Sequence, residues 1–187
     1  MTTHPQRLPI TLEVLVRDSA APREPGVGAN IRRTGRFKTI PMNSYTTFDA
    51  TRSVKAPAAY IIPADADSIV IMLRLHGVIV EKLRASWSGA GETFTVDSIV
   101  KAARPFEGHA EVRLEGKWNA GTVQAPAGSY IVRTTQPLGV LAVILLEPEC
   151  DDGLATWNFF DGSTSVGRAF PVLRARAAVT APAWMVQ

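Results

Sequence analysis

Between Pro137 and Pro148 the chain holds Leu138 to Leu146, a run with no polar side chain. Two prolines bound it, so it forms one short element. Pro137 fits the first helical turn, where a missing N–H costs nothing. A helix apolar on nearly every face needs other elements on more than one side. The sequence supplies them as strands. Thr134 or Thr135 is placed to cap the helix, Ser129 to Arg133 reads as the strand before it, and Asp151-Asp152-Gly153 turns the chain so that Leu154 to Phe160 returns as a strand.

The same pattern occurs earlier. Ala58 to Ile62 is a short apolar strand stopped by Pro63. Asp65, Asp67 and Ser68 then offer N-cap and first-turn acids, Ile69 to His76 reads as a helix, and Gly77 stands where a left-handed C-cap is wanted. Val78 to Leu83 follows as a strand. Tyr60-Ile61-Ile62 and Tyr130-Ile131-Val132 hold equivalent places, which predicts two β-α-β-like units. A strand over Glu92 to Val100 and another over Gly108 to Glu115 make a hairpin between them, with Lys117 to Gly121 as a turn. The fold expected is α+β: a strand-rich mixed or antiparallel sheet with two helices. Residues 1–35 are expected to be an N-terminal strand (Ile10 to Arg17) and a Pro/Gly-rich arm, 36–176 a single domain with an extended piece near Phe37 to Ile40, and 177–187 a tail after a last strand at Ala169 to Arg176.

Charge is unevenly placed. Residues 1–60 hold nine Lys/Arg and four Asp/Glu, residues 61–161 eight and thirteen, and residues 162–187 three Arg and no acid. Arg32, Arg33, Arg36 and Lys38 form a short basic cluster without interleaved aromatic residues, so nucleic acid is not the expected partner. Apolar runs fall short of a membrane span, and the N-terminus, with His4, Pro5, Arg7 and Pro9, has no signal-like core. A cytoplasmic location is the expectation from these features. A single cysteine, Cys150, excludes a disulfide within the chain, and its acidic neighbours disfavour a thiolate.

Chemistry-bearing motifs are sparse. His4, His76 and His109 are followed three residues on by Arg7, Ile79 and Val112, so no His-x-x-Glu pair exists. Neither Ser86 to Gly91 nor Gly162 to Gly167 has Gly-x-Ser-x-Gly spacing, and no Walker loop or Gly-x-Gly-x-x-Gly occurs. Two constellations remain. His109 and Glu111 share one face of a predicted strand, with Arg113 beyond, as an acid–base pair or as a wet sheet face. Glu147, Glu149, Asp151, Asp152 and Asp161 gather around a turn; Glu149, Asp151 and Asp152 are the calcium candidates, although the spacing is not that of an EF-hand. No other cofactor is expected. His76, at a helix end, suits a structural role.

Several stretches together resemble a known region: Pro57 to Pro63, Leu75 to Glu81, Arg104 to His109, and above all Pro126-Ala127-Gly128-Ser129-Tyr130, Gln136-Pro137-Leu138-Gly139, Leu145 to Glu149, Asp152-Gly153-Leu154 and Trp157-Asn158-Phe159-Phe160-Asp161. Over about residues 36 to 176 this resembles the C-terminal portion of large bacterial zinc carboxypeptidase-like proteins of the carboxypeptidase A superfamily. In that family the zinc is held by a His-x-x-Glu motif and a later His in a separate N-terminal α/β domain, where a glutamate is the general base. None of those positions has a counterpart here. The resemblance implies a non-catalytic portion that accompanies a peptidase, through packing, assembly or ligand contact, in a family whose members include exported proteins. The partners implied are a peptidase catalytic domain or a second copy. Alternatives are a small freestanding hydrolase of ester, lactone or peptide bonds around His109 and Glu111, and a structural homo-oligomer with Trp184 and Met185 as an apolar handle.

Overall fold

A computed structural model describes residues 6–23, 25–44 and 52–186. The chain divides into two compact units, Met1–Val54 and Lys55–Gln187. The first is a ribbon of β1 (Gln6–Arg17) and β2 (Ile31–Ser44), paired antiparallel from Gln6↔Ser44 to Arg17↔Ile31. Leu8, Ile10 and Leu12 share one face with Ile40 and Met42, while Thr11 and Thr39 share a hydrogen bond of 2.9 Å on the other. Residues 18–23 and 25–30 lie between the two strands. The extended piece expected at Phe37 to Ile40 is part of a strand of 14 residues, so the first unit runs past residue 35 and closes at Val54.

The second unit is strand-rich and α+β. It contains β3 (Ala59–Ile62), α1 (Asp67–Leu75), β4 (Glu81–Leu83), β5 (Trp87–Lys101), β6 (Val112–Ala125), β7 (Tyr130–Arg133), α2 (Gly139–Leu146), β8 (Leu173–Ala175) and β9 (Ala183–Met185). The sheet order is β6-β5-β8-β3-β7-β4-β9. Strands β3 and β4 are both antiparallel to β7, and β7 and β8 are both antiparallel to β3. Each β-α-β pair therefore runs parallel with one strand of the other pair between its members. This is an interleaved split β-α-β arrangement. The repeated Tyr-Ile-Ile/Val triplets meet face to face as Tyr60↔Val132, Ile61↔Ile131 and Ile62↔Tyr130.

Alternation sorts side chains to two cores. Tyr60, Ile62, Tyr130 and Val132 point to the helix side and pack with Ile69, Leu73, Ala142 and Leu146. Ala59, Ile61 and Ile131 point to the other side, where Leu83, Trp87 and Val179 cover them. The segment expected to be a tail thus belongs to the fold: Val179 is buried and β9 pairs with β4.

Helix α1 ends as the sequence predicts, with Gly77 at φ +80° and its N–H donating to Arg74 O (2.9 Å). Neither helix start carries a side-chain cap; Asp67 instead accepts from Tyr130 Oη (2.8 Å), and Thr134 Oγ1 donates to Pro57 O (2.6 Å). Two strand expectations are corrected. Lys117 to Gly121 is the middle of β6, paired with Thr95 to Gly91, and not a turn. Gly121, the glycine of that segment, is strand backbone beside open space, whereas a Cβ at the neighbouring Gly116 would lie 2.1 Å from Thr95 O and 2.6 Å from the Phe94 ring. Leu154 to Phe160 is a series of turns, with Asn158 at φ +70°, that drives Phe160 against Phe170 at 4.7 Å between ring centres; the returning strand is β8. Expected burial of α2 on more than one side holds only in part. Ala142, Leu145 and Leu146 are buried, but Val140 is 77% exposed.

Candidate functional site

A row of polar groups crosses the helix-side core. Glu92 on β5 stands opposite Arg174 on β8, which stands opposite Tyr60 on β3. Glu147, the residue after α2, comes down onto this row from the helix layer. Arg174 and Glu147 are each only 5% exposed. Arg174 grips Glu147 with both sides of its fork, Nε to Oε1 at 2.9 Å and Nη2 to Oε2. Tyr60 Oη also donates to Glu147 Oε1. Arg174 Nη1 donates to Glu92 Oε2 (3.2 Å), and Arg176 Nη2 to Glu92 Oε1 (2.9 Å). The Trp118 ring lies 3.7 Å from the guanidinium carbon of Arg174, a cation–π contact.

The electrostatics follow from this packing. Burial, reinforced by the Glu147 charge, pushes the Tyr60 phenol well above its ordinary range. Burial works against the Arg174 charge, but hydrogen bonds to Glu147 outweigh it and raise its pKa. Burial likewise opposes ionised Glu92, and the hydrogen bonds from Arg176 and Arg174 overcome it and hold the carboxyl below its ordinary value of 4.5. A depressed carboxyl stabilises the fold above the unfolded pKa and loses that contribution as pH falls through the folded value. Glu92→Gln is therefore expected to flatten the acid limb of stability below about pH 4.5. Urea unfolding between neutrality and acid pH measures this; an unchanged acid slope would contradict it.

The sequence candidates lie outside this network, except Glu147. His109 sits in the tight turn after β5, where Phe106 and His109 exchange backbone hydrogen bonds of 2.9 Å and Glu107 and Gly108 have positive φ. It is exposed, and its ring meets Trp157 edge-on at 5.9 Å. Strand β6 begins only at Val112, so His109 and Glu111 are not on a common strand face. Glu111 lines a cleft of about 390 Å³ together with Arg113, Glu149, Cys150 and Asp151. His109 and Asp152 are not among its lining residues.

The acids around the turn separate to different partners. Asp151 pairs with Arg113 (3.7 Å), Asp161 with Lys101 (2.9 Å), and Asp152 accepts from Trp157 Nε1 (2.7 Å). Glu149 Oε1 accepts from the Gly116 N–H (3.4 Å). Among the described residues no three of His, Cys, Asp and Glu come together as a metal site. His76 Nδ1 bonds Met72 O at 2.8 Å, closing the end of α1. Within the ribbon, Arg32 pairs with Asp18 and Arg33 with Glu13, both at 3.1 Å. His4 lies outside the described residues. Among those residues no helix is long and apolar enough to cross a membrane.

The buried network is what sequence reading missed. Its signal was present as charges in or beside apolar stretches: Arg174 and Arg176 within Phe170 to Ala178, and Glu147 immediately after the all-apolar helix. A charge inside an apolar segment calls for an opposite charge from elsewhere in the chain.

No family model and no solved structure matches this chain. Curated proteins do. The chain is 36% identical over 135 residues to Carboxypeptidase 2 of Trichophyton tonsurans, covering 72% of this chain and 25% of that protein. It is 34% identical over 138 residues to Carboxypeptidase 2 of Trichophyton rubrum, with the same shares. It is 33% identical over 113 residues to Probable carboxypeptidase 2 of Arthroderma benhamiae, covering 60% of this chain and 22% of that protein. These relatives are fungal, whereas the sequence resemblance was drawn to bacterial proteins. The chain spans about a quarter of the length of the curated relatives it matches. Most of it is thus a carboxypeptidase-related region.

Proposed function

We propose that this chain is a non-catalytic accessory domain of the metallocarboxypeptidase kind, which packs its helix layer against a peptidase catalytic domain. The observation that carries this reading is the outward side of that layer. Helix α2 has no polar side chain, yet Val140 is 77% exposed and Ile144 39%. On α1, Leu75 is 75% exposed and Ile71 53%. Grouped apolar exposure of this kind marks interaction surfaces. A helix that needs burial on two sides finds only one inside its own unit; the relatives are about four times as long as the matched region and supply room for the other. The polar groups agree with this role, because His76, Asp151, Asp152 and Asp161 each have a partner within the domain.

The test is metal analysis and peptidase assay on the purified 187-residue chain. Incubated with zinc and then desalted, it is expected to retain less than stoichiometric metal and to release no C-terminal amino acid from peptides. Stoichiometric zinc with turnover would overturn the reading. A second arm adds a separately expressed catalytic domain of a relative: binding lost on Val140→Lys is the expected result.

A further inference from the structure

We propose that the free edge of β6 pairs antiparallel with the same edge of a second copy of this chain, joining two sheets into one. This surface is distinct from the helix layer and does not depend on the accessory-domain reading. Strand β6 is the last strand of the sheet on its side. Its backbone direction is fixed by its neighbours. Phe94 O accepts from Phe170 N and Ala90 O from Arg176 N, both at 2.8 Å, so these residues of β5 turn their backbone groups away from β6. Their β6 partners, Trp118 and Thr122, therefore turn theirs outward, away from β5. Val112 agrees with this phase, donating outward to Thr156 O at 3.0 Å.

Trp118, Ala120, Thr122 and Gln124 thus present N–H and C=O along the outer edge, and among the described residues none bonds to these backbone groups. Natural edges are guarded by charge, proline, bulges or shortness. The opposite edge, β9, is short, with three residues. From Trp118 to Ala125 the β6 edge has no charge and no proline, and the one bulge in its ladder lies at Val96/Ser98. It is an edge left open for pairing.

The occupant is a second copy because the edge is complementary to itself. Antiparallel pairing must set outward residues against outward residues, so a two-fold axis passes through a residue and not between two. Centred on Gly121, it sets Trp118 against Gln124 of the partner subunit and Ala120 against Thr122 of the partner subunit. Lys117 faces Ala125 of the partner subunit, so no like charges oppose each other. Four outward pairs exchange two bonds each, about eight hydrogen bonds in all. The two Gly121 residues meet as a non-hydrogen-bonded pair, with Cα atoms about 4.5 Å apart. The space beside Gly121 is open: a Cβ there would meet nothing within 4 Å.

Sedimentation of the full chain at about 100 µM, where a micromolar Kd is saturated, tests this. The parent is expected to be a dimer. Gly121→Lys, which sets two ammonium groups face to face without a clash inside the monomer, is expected to be a folded monomer by circular dichroism, and Val140→Lys to remain a dimer. A monomeric parent, a dimer that survives Gly121→Lys, or a dimer lost on Val140→Lys would overturn the proposal. In a Cys150→Ser background, Gly121→Cys places two thiols at a separation a disulfide spans, and it is expected to cross-link at least about tenfold faster than Gly162→Cys, at an exposed position in the 3-10 turn Asp161–Ser163 and outside the paired stretch. Equal rates would overturn the proposal even if Gly121→Lys fails to fold.

Discussion

Replacing Arg174 with methionine is expected to destabilise the second unit by roughly 3–5 kcal/mol. The guanidinium is the shared donor for Glu147 and Glu92, and its removal leaves Glu147 buried with Tyr60 Oη as its remaining donor. An uncompensated buried carboxylate costs far more than the pair contributes, because desolvation is no longer offset by the opposite charge. The same substitution removes the cation resting on Trp118. The double variant Arg174→Met with Glu147→Leu is expected to recover most of the loss, since apolar groups of similar volume replace a buried pair at little cost. Urea unfolding of the parent, single and double variants decides it. A loss within about 1 kcal/mol for the single variant would show that the network is solvated and not the closed unit its burial describes.

Gly139→Ala is the second large effect. A Cβ at Gly139 would lie 1.8 Å from Thr134 O and 2.7 Å from its carbonyl carbon. Both are backbone atoms at the junction of β7 and α2, so no rotamer change relieves the overlap. The expected cost is about 3 kcal/mol, the upper part of the range for overpacking. For a unit of this size that lowers Tm by about 6–12 °C. Gly121→Ala is the control: with open space around it, the change is expected to be neutral or mildly stabilising in unfolding experiments on the monomeric state. A Gly139→Ala protein that melts with the parent would mean that the Thr134 to Gly139 turn yields freely.

How much of this was legible beforehand depends on the range of the interaction concerned. Gly77 and Pro137 act within a few residues, and the helix boundaries they imply lie close to those observed. Gly121 misled, because a glycine in mid-strand beside open space, without positive φ, reads the same in sequence as one needed for a turn. The aromatic run at Trp157 to Phe160 misled for the reverse reason. Its apolar spacing suits a strand, but Asn158 at positive φ curls it into a plug. The pairing of His109 with Glu111 assumed a strand that had already begun; the Glu107-Gly108 turn delays it to Val112.

From its residues alone the chain settles where helices stop, which strand faces are apolar, and that two Tyr-Ile-Ile/Val strands are equivalent. Those are local matters, governed by backbone sterics and side-chain period. Only the tertiary structure could decide that the equivalent strands lie side by side, that Glu147 meets Arg174 from 27 positions away, and that β6 is left at an edge. Each depends on which strand is inserted beside which, and that order is set by the burial of both sheet faces at once and not by any single segment.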